Sequence, residues 1–371
     1  MSYRIFEGCR IVEGYDRCAI CDLQRGTYKF YPKLITDIVD SKGIVCNRQT
    51  ISEEDFQYLT DVLLNDEVIF PIDDSEVNNF PNLDLTWKWP AHITNCIFVW
   101  NDSLIDQYAK LIKDDFLYLN CRHLQIQIYH SASFALLKSF QNLINDSIIQ
   151  SVEYISNENV FTDVDELKKW VLHNKKIRFV SISEEDNNHI ISNGENGMGI
   201  IVNTAEKITS PMQCGNIHYN YFSVNIDLFT EAQHHNTCLN RKICIDANGD
   251  IKNCPAMEKS YGNIRDTTLQ EAIEKPGFKE YWTICKDQID VCKDCEFRYM
   301  CTDCRAFIKD PENPYSQPAK CTYNPYICLW EGQDGYVPVE ECGTYSRKTG
   351  FVPDKKKIAE LNKQIWGEED E

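Results

Sequence analysis

The sequence lacks the features that announce several common functions. No apolar run in its 371 residues approaches the roughly 18 that a membrane-crossing helix needs, so no membrane partner is expected. The opening "MSYRIFEGCR" has no charged-then-apolar-then-small pattern, so a secretory signal is not expected either. There is no G-x4-G-K-[ST], no G-x-G-x2-G and no G-x-S-x-G, which removes the usual phosphate loops and the serine-hydrolase elbow. Acidic residues outnumber basic ones, 57 Asp and Glu against 38 Lys and Arg. A formal charge of −19 repels a phosphate backbone, so nucleic acid is not an expected partner.

Cysteine is abundant. There are eighteen, more than ordinary usage and fewer than the density of a short disulfide scaffold. With no export signal, a reducing cytoplasm is the expected setting, and there clustered cysteines bind metal more often than they pair. Ten of the eighteen fall between Cys238 and Cys328. That break points to a C-terminal metal-binding part joined to more ordinary globular parts.

The expected organisation has four parts. Residues 1–90 form a small unit ending in a Pro-containing linker. The runs "YRIF", "CAICDL" and "TYKFYP" read as strands, the last two joined as a hairpin across Arg25-Gly26. Pro32 should open a short helix closed by Gly43. Ser52 with Asp55 should cap a helix carrying Phe56, Leu59, Val62 and Leu63 on one face. A further strand, "EVIFPID", completes a winged-helix-like plan. Residues 91–230 alternate strand and helix at about 30 residues per unit, the sign of βαβ units and a parallel sheet. The strands are "ITNCIFVW", "HLQIQIY", "SVEYIS", "IRFVSIS", "GMGIIVNT" and "YFSVNIDL". The helices are "LIDQYAKLIKDDFLYL", "FALLKSFQNLIN" and "VDELKKWVLHN", the last capped by Thr162 with Asp165. A closed eight-fold barrel takes about 250 residues, so this α/β part should be an open or partial barrel. Residues 231–350 are loop-rich, and 351–371 should be a surface helix.

The chemistry sits in two spacings, Cys238-x5-Cys244-x9-Cys254 and Cys292-x2-Cys295-x5-Cys301-x2-Cys304-x16-Cys321. Tetrahedral zinc and iron–sulfur clusters both take four thiolates, and spacing does not separate them. Cys96 reads as core. Cys18 and Cys21 lie on one strand and face opposite sides. His234-His235 and Glu184-Glu185-Asp186 read as loop residues.

Cys238, ten residues, Gly249, four residues, Cys254, then "CKDCEFRYMCTDC" and Cys321, resembles the SPASM pattern found at the C-terminus of many radical SAM enzymes that mature peptides. The resemblance implies two [4Fe–4S] clusters. Cys238, Cys244 and Cys254 would hold the first with Cys304. Cys292, Cys295 and Cys301 would hold the second with Cys321. Two residues separate Cys301 from Cys304 where the family often has three, which makes Cys328 an alternative ligand. The upstream sheet resembles a radical SAM barrel, yet no C-x3-C-x2-C occurs anywhere in the chain. SAM is therefore not an expected cofactor.

Over nearly its full length, on "CDLQRGTYKFYP" and "NPYICLWEG", the chain resembles the SPASM-domain peptide maturase of grasp-with-spasm systems. That implies a precursor peptide and an ATP-grasp ligase as partners. The ligase joins carboxylate side chains of a ribosomally made precursor to hydroxyls or amines. The N-terminal unit would recognise the peptide by strand addition. Two other readings stand beside this one, a radical or iron–sulfur redox enzyme and a zinc-stabilised interaction protein.

Overall fold

The computed structural model describes residues 2–47, 51–73, 75–157, 160–183, 186–195 and 198–367. Glu184 and Glu185 lie outside them. The chain divides into two compact units. One joins Met1–Lys88, Asn216–Thr237 and Thr283–Glu371, and the other joins Trp89–Gly215 and Cys238–Trp282.

The chain opens with β1 (Ser2–Ile5) and a meander of β2 (Cys9–Glu13), β3 (Arg17–Asp22) and β4 (Thr27–Pro32). β3 and β4 form the expected hairpin, turned by Gly26 at φ 71°, where any side chain would be strained. Cys18 and Cys21 enter two different hydrophobic clusters on opposite faces of β3. The helix expected from Pro32 to Gly43 shrinks to α1 (Ile35–Ile38). The Asp40 carboxylate accepts the N–H groups of Lys42 and Ile44, and this local turn outcompetes helix propagation. β5 (Ile44–Val45), α2 (Glu53–Asn65) and β6 (Ile69–Ile72) follow. The Ser52 hydroxyl accepts the Asp55 N–H at 3.0 Å, so α2 starts where its cap predicts. Leu59 and Leu63, one turn apart, bury against Ile5 and Ile35. β1 lies between β5 and β6 in a second three-stranded antiparallel sheet.

The next stretch runs β7 (Asn95–Val99), α3 (Ile105–Lys113), α4 (Asp115–Leu119), β8 (His123–Ile128), α5 (Phe134–Asn145), β9 (Ser151–Ser156), α6 (Val164–His173), β10 (Ile177–Ile182), β11 (His189–Ser192) and β12 (Ile200–Asn203). α7 (Ile226–Ala232) comes next, then β13 (Lys242–Ile245), β14 (Ile251–Lys252) and α8 (Leu269–Glu274). The eight strands form one sheet in the order β11-β12-β10-β9-β8-β7-β13-β14. The inner six are parallel, and the antiparallel β11 and β14 are its edges.

β7 to β10 are added in sequence to one side. Right-handed crossovers in a single direction place the helices on one face. Phe98, Ile126, Tyr154 and Val180 from the strands meet Tyr108, Phe140 and Trp170 from the helices there. The other face carries a small apolar cluster of Ile97, Val99, Tyr129 and Cys244 beside a polar network. Gln127 Nε2 donates to Gln125 Oε1 (2.6 Å), Gln125 Nε2 to Glu153 Oε2 (2.9 Å), and Tyr129 OH to Gln127 Oε1 (2.6 Å).

Two local expectations are corrected. α6 is capped by Asp163, not Thr162, because the Asp163 carboxylate accepts the N–H groups of both Asp165 and Glu166. "YFSVNIDL" is not a strand. Asn225 Oδ1 accepts the Leu228 N–H at 2.9 Å and starts α7 in the middle of it.

The rest of the chain has sparse regular structure, namely β15 (Tyr323–Asn324), β16 (Leu329–Trp330), β17 (Gly343–Ser346), β18 (Gly350–Pro353) and α9 (Lys355–Trp366). In α9 the Asp354 carboxylate caps Lys356 and Lys357, and Ile358 is the residue it buries, so it is the expected surface helix. Among the described residues no helix is long and apolar enough to cross a membrane.

Candidate metal centre

The second cysteine group is built from tight turns. Cys295 N–H donates to the Cys292 carbonyl (3.1 Å) and Cys301 N–H to the Phe297 carbonyl (3.0 Å). Val291, at φ 68°, redirects the chain just before Cys292. Cys321 arrives from farther along and is fixed by a parallel bridge to Ile217. Together Cys292, Cys295, Cys301 and Cys321 line one small cavity, closed by Phe222, Phe297 and Trp330.

Burial governs these thiols. Desolvation pushes Cys292 and Cys301 up to about 12 and Cys321 to about 11, and raises Cys295 well above the ordinary thiol value. Each thiolate also disfavours its neighbours, Cys321 on Cys295 and Cys301, Cys292 on Cys321. Lys286 opposes this at Cys292, Cys301 and Cys321. Four buried thiols become thiolates together only around a cationic centre.

The donor set is one a metal centre uses, four thiols lining one cavity. Among the described residues no group of three or more His, Cys, Asp or Glu is placed to hold a metal ion. A four-iron core, in which each iron takes one thiolate, suits thiols spread round a cavity. The Lys286 ammonium, buried on the cavity wall without a hydrogen bond, calls for an anionic group.

The first group lies in the other unit. Cys244 sits on β13 and joins Ile97, Val99 and Tyr129 on the face opposite the helices, away from Ile243 and Ile245. Cys254 follows β14. The hairpin between them turns at Gly249, whose φ of 88° strains any side chain and where a Cβ would stand only 3.1 Å from Asn263 Oδ1. This is the turn expected from "DANGDIK". Lys242 Nζ stands 3.5 Å from Cys238 Sγ. Desolvation alone would lower the Lys242 ammonium, yet Cys238, Cys254 and Cys214 raise it. Desolvation and then Cys238 push Cys254 up to about 12, and Cys214 adds to this. Cys238, Cys244 and Cys254 thus share one neighbourhood. Cys214 joins them from a segment whose spacing gives no signal.

Cys304 belongs to the unit of the second group, and its N–H donates to Asp303 Oδ1 at 2.7 Å. Neither it nor Cys328 lines the cavity, and the Cys328 thiol faces the Pro325 carbonyl. Cys96 is fully buried core, as expected. His234 is exposed, and His235 packs against Trp87.

The arrangement around Cys292 is tied to the N-terminal meander of the same unit. Arg17 Nε donates to Glu296 Oε1 (2.7 Å), Arg298 Nη1 to the Glu13 carbonyl (2.5 Å) and Tyr15 N–H to the Asp294 carbonyl (2.8 Å). Phe30 packs edge-on against Phe297 of the cavity wall, 5.4 Å between ring centres.

No curated protein and no solved structure matches the chain. One family model does match. It is SPASM, described as an iron–sulfur cluster-binding domain, and it covers residues 237–296. Of the candidate ligands the match takes in Cys238, Cys244, Cys254, Cys292 and Cys295, along with Cys285, and stops short of Cys301. It spans well under half of the chain, and over that stretch the chain is similar to a domain that binds iron–sulfur clusters.

Proposed function

We propose that the chain is an iron–sulfur protein of ribosomal peptide maturation. It binds a precursor peptide and acts beside an ATP-grasp ligase, without cleaving SAM itself. Two [4Fe–4S] clusters complete it. Cys292, Cys295, Cys301 and Cys321 hold one. Cys238, Cys244 and Cys254 hold the other, with Cys304 as fourth ligand on the resemblance and Cys214 as its rival. When bound, such cores cross-link loops and can carry single electrons.

The observation that carries this reading is the gathering of four thiols, in the order the SPASM pattern requires, around one cavity. The two segments that resemble grasp-with-spasm maturases support the peptide half. "CDLQRGTYKFYP" forms the β3–β4 hairpin and "NPYICLWEG" carries β16. Phe30 from the first and Trp330 from the second both pack near Phe297 of the cavity wall. The absence of C-x3-C-x2-C from the sequence supports a role that leaves SAM uncut.

Anaerobic reconstitution tests the metal half. The expected product is brown, with about eight irons and eight sulfides per chain. A colourless chain loaded with zinc would return the zinc reading. 5′-Deoxyadenosine formed from SAM under reduction would return the radical reading. Co-expression with an ATP-grasp ligase and its precursor tests the peptide half. Loss of water from the precursor should depend on this chain, and cross-linking that proceeds equally without it would defeat the proposal.

A further inference from the structure

Lys286 is 4% exposed and lines the cavity with the four thiols. An ammonium has three donors to satisfy, yet among the described residues Nζ makes no hydrogen bond. Its nearest carboxylate oxygen, Asp303 Oδ1, lies 3.6 Å away, beyond hydrogen-bond range. Asp303 is already engaged. Its oxygens accept Arg305 Nη2 (2.8 Å), the Cys304 N–H (2.7 Å) and Asn236 Nδ2 (2.5 Å). Arg305 itself is fully buried and donates to the Pro314 and Ser316 carbonyls. Two buried cations therefore share one carboxylate, and a positive charge is left over beside the thiols.

Resting on the iron–sulfur reading above, we propose that Lys286 is the resident counter-charge of the core held by Cys292, Cys295, Cys301 and Cys321. Its ammonium donates to sulfur and raises the potential at which that core accepts an electron. A core bound by four thiolates carries net negative charge, and each added electron increases it. A fixed cation at the cavity wall, in a low-dielectric setting, favours the reduced form. A lysine that only fills space or braces the loop would not set this potential.

The test uses the full chain, reconstituted anaerobically and titrated with dithionite while the reduced clusters are followed by electron paramagnetic resonance. Cys321→Ser identifies which step belongs to this core. Lys286→Met should lower the reduced-to-oxidised ratio at fixed potential about tenfold, or about 59 mV for one electron. Asp303→Asn removes the opposing charge and should shift the same step the other way. Lys286→Arg should stay near the parent.

Opposite shifts in the two variants support the proposal, because loosening of the loop would not reverse sign. Unshifted steps, or shifts in one direction, overturn it. If Lys286→Met does not load iron at this site, the Asp303→Asn shift decides. If neither variant loads, or if the loaded core cannot be reduced, Lys286 is structural and the proposal fails. A parent chain that takes up no iron would instead defeat the reading on which it rests.

Discussion

Arg17→Ala tests how far the N-terminal meander supports the cysteine turns. Glu296 follows Cys295 directly, and its side chain is wholly buried. Its Oε1 accepts Arg17 Nε at 2.7 Å and Tyr323 OH at 2.5 Å, while Oε2 has no hydrogen bond among the described residues. Removing one partner of a buried ion pair costs about 3–5 kcal/mol. The Arg17 side chain is 26% exposed, so water would fill part of the gap and the lower end, about 3 kcal/mol, is expected. Its guanidinium also sits 3.6 Å from the centre of the Phe30 ring, a contact worth up to about 1 kcal/mol. A chain of two units need not unfold in one step, so a global midpoint is the wrong measurement. Amide hydrogen exchange of the segment 290–301 reads the local cost. A loss of about 3 kcal/mol speeds exchange roughly 100-fold. Arg17→Ala with Glu296→Leu should recover most of it, since the stranded charge is gone. Exchange within threefold of the parent in the single variant would refute the reasoning. So would a double variant as labile as the single.

Cys292→Ser, Cys295→Ser, Cys301→Ser and Cys321→Ser should each cut iron from about eight to about four per chain, while Cys328→Ser should leave it unchanged. Iron analysis of Cys304→Ser beside Cys214→Ser shows which thiol closes the other core. Asp115 accepts the Leu269 N–H at 2.8 Å, and desolvation raises its carboxyl above the usual value despite that bond. A raised carboxyl contributes stability that is present below its unfolded value and lost as pH rises through the folded one. Asp115→Asn keeps the acceptor, so its stability relative to the parent should grow from pH 4 to pH 7 in denaturant titrations. Tyr154→Phe strands Gln141 Oε1, which accepts Tyr154 OH at 2.8 Å in the core, and should cost about 1–3 kcal/mol of stability to urea.

The elements that periodicity and caps revealed are those whose stability is local. "FALLKSFQNLIN" and "SVEYIS" coincide with α5 and β9 because apolar spacing and the Ser133 cap act within one turn or one strand. "YFSVNIDL" misled because its alternation is cut by Asn225, whose side chain starts a helix. α1 was too long in expectation because Asp40 bonds its own backbone two and four residues on. Other features depend on contacts that no window contains. Arg17 and Glu296 are 279 positions apart, and β13 lies beside β7 although more than a hundred residues separate them.

The candidate centre divides along the same line. The spacing of Cys292, Cys295 and Cys301 is short enough that successive turns force the three thiols inward, so their gathering is a local consequence of sequence. Cys321 reaches the same cavity through a long-range bridge to Ile217, and only the resemblance to the SPASM pattern grouped it with the other three thiols. The charge around the thiols was not legible at all. In sequence, Lys286 is a lysine in "CKDQ", indistinguishable from a solvated loop residue. What sets it apart is burial beside a carboxylate it must share, since Asp303, 3.6 Å away, also serves Arg305, Asn236 and the Cys304 N–H. Metal ligands follow spacing because geometry is local. The electrostatics that decide what a bound core does follow from which carboxylates are already taken, and that is settled only once the chain has closed on itself.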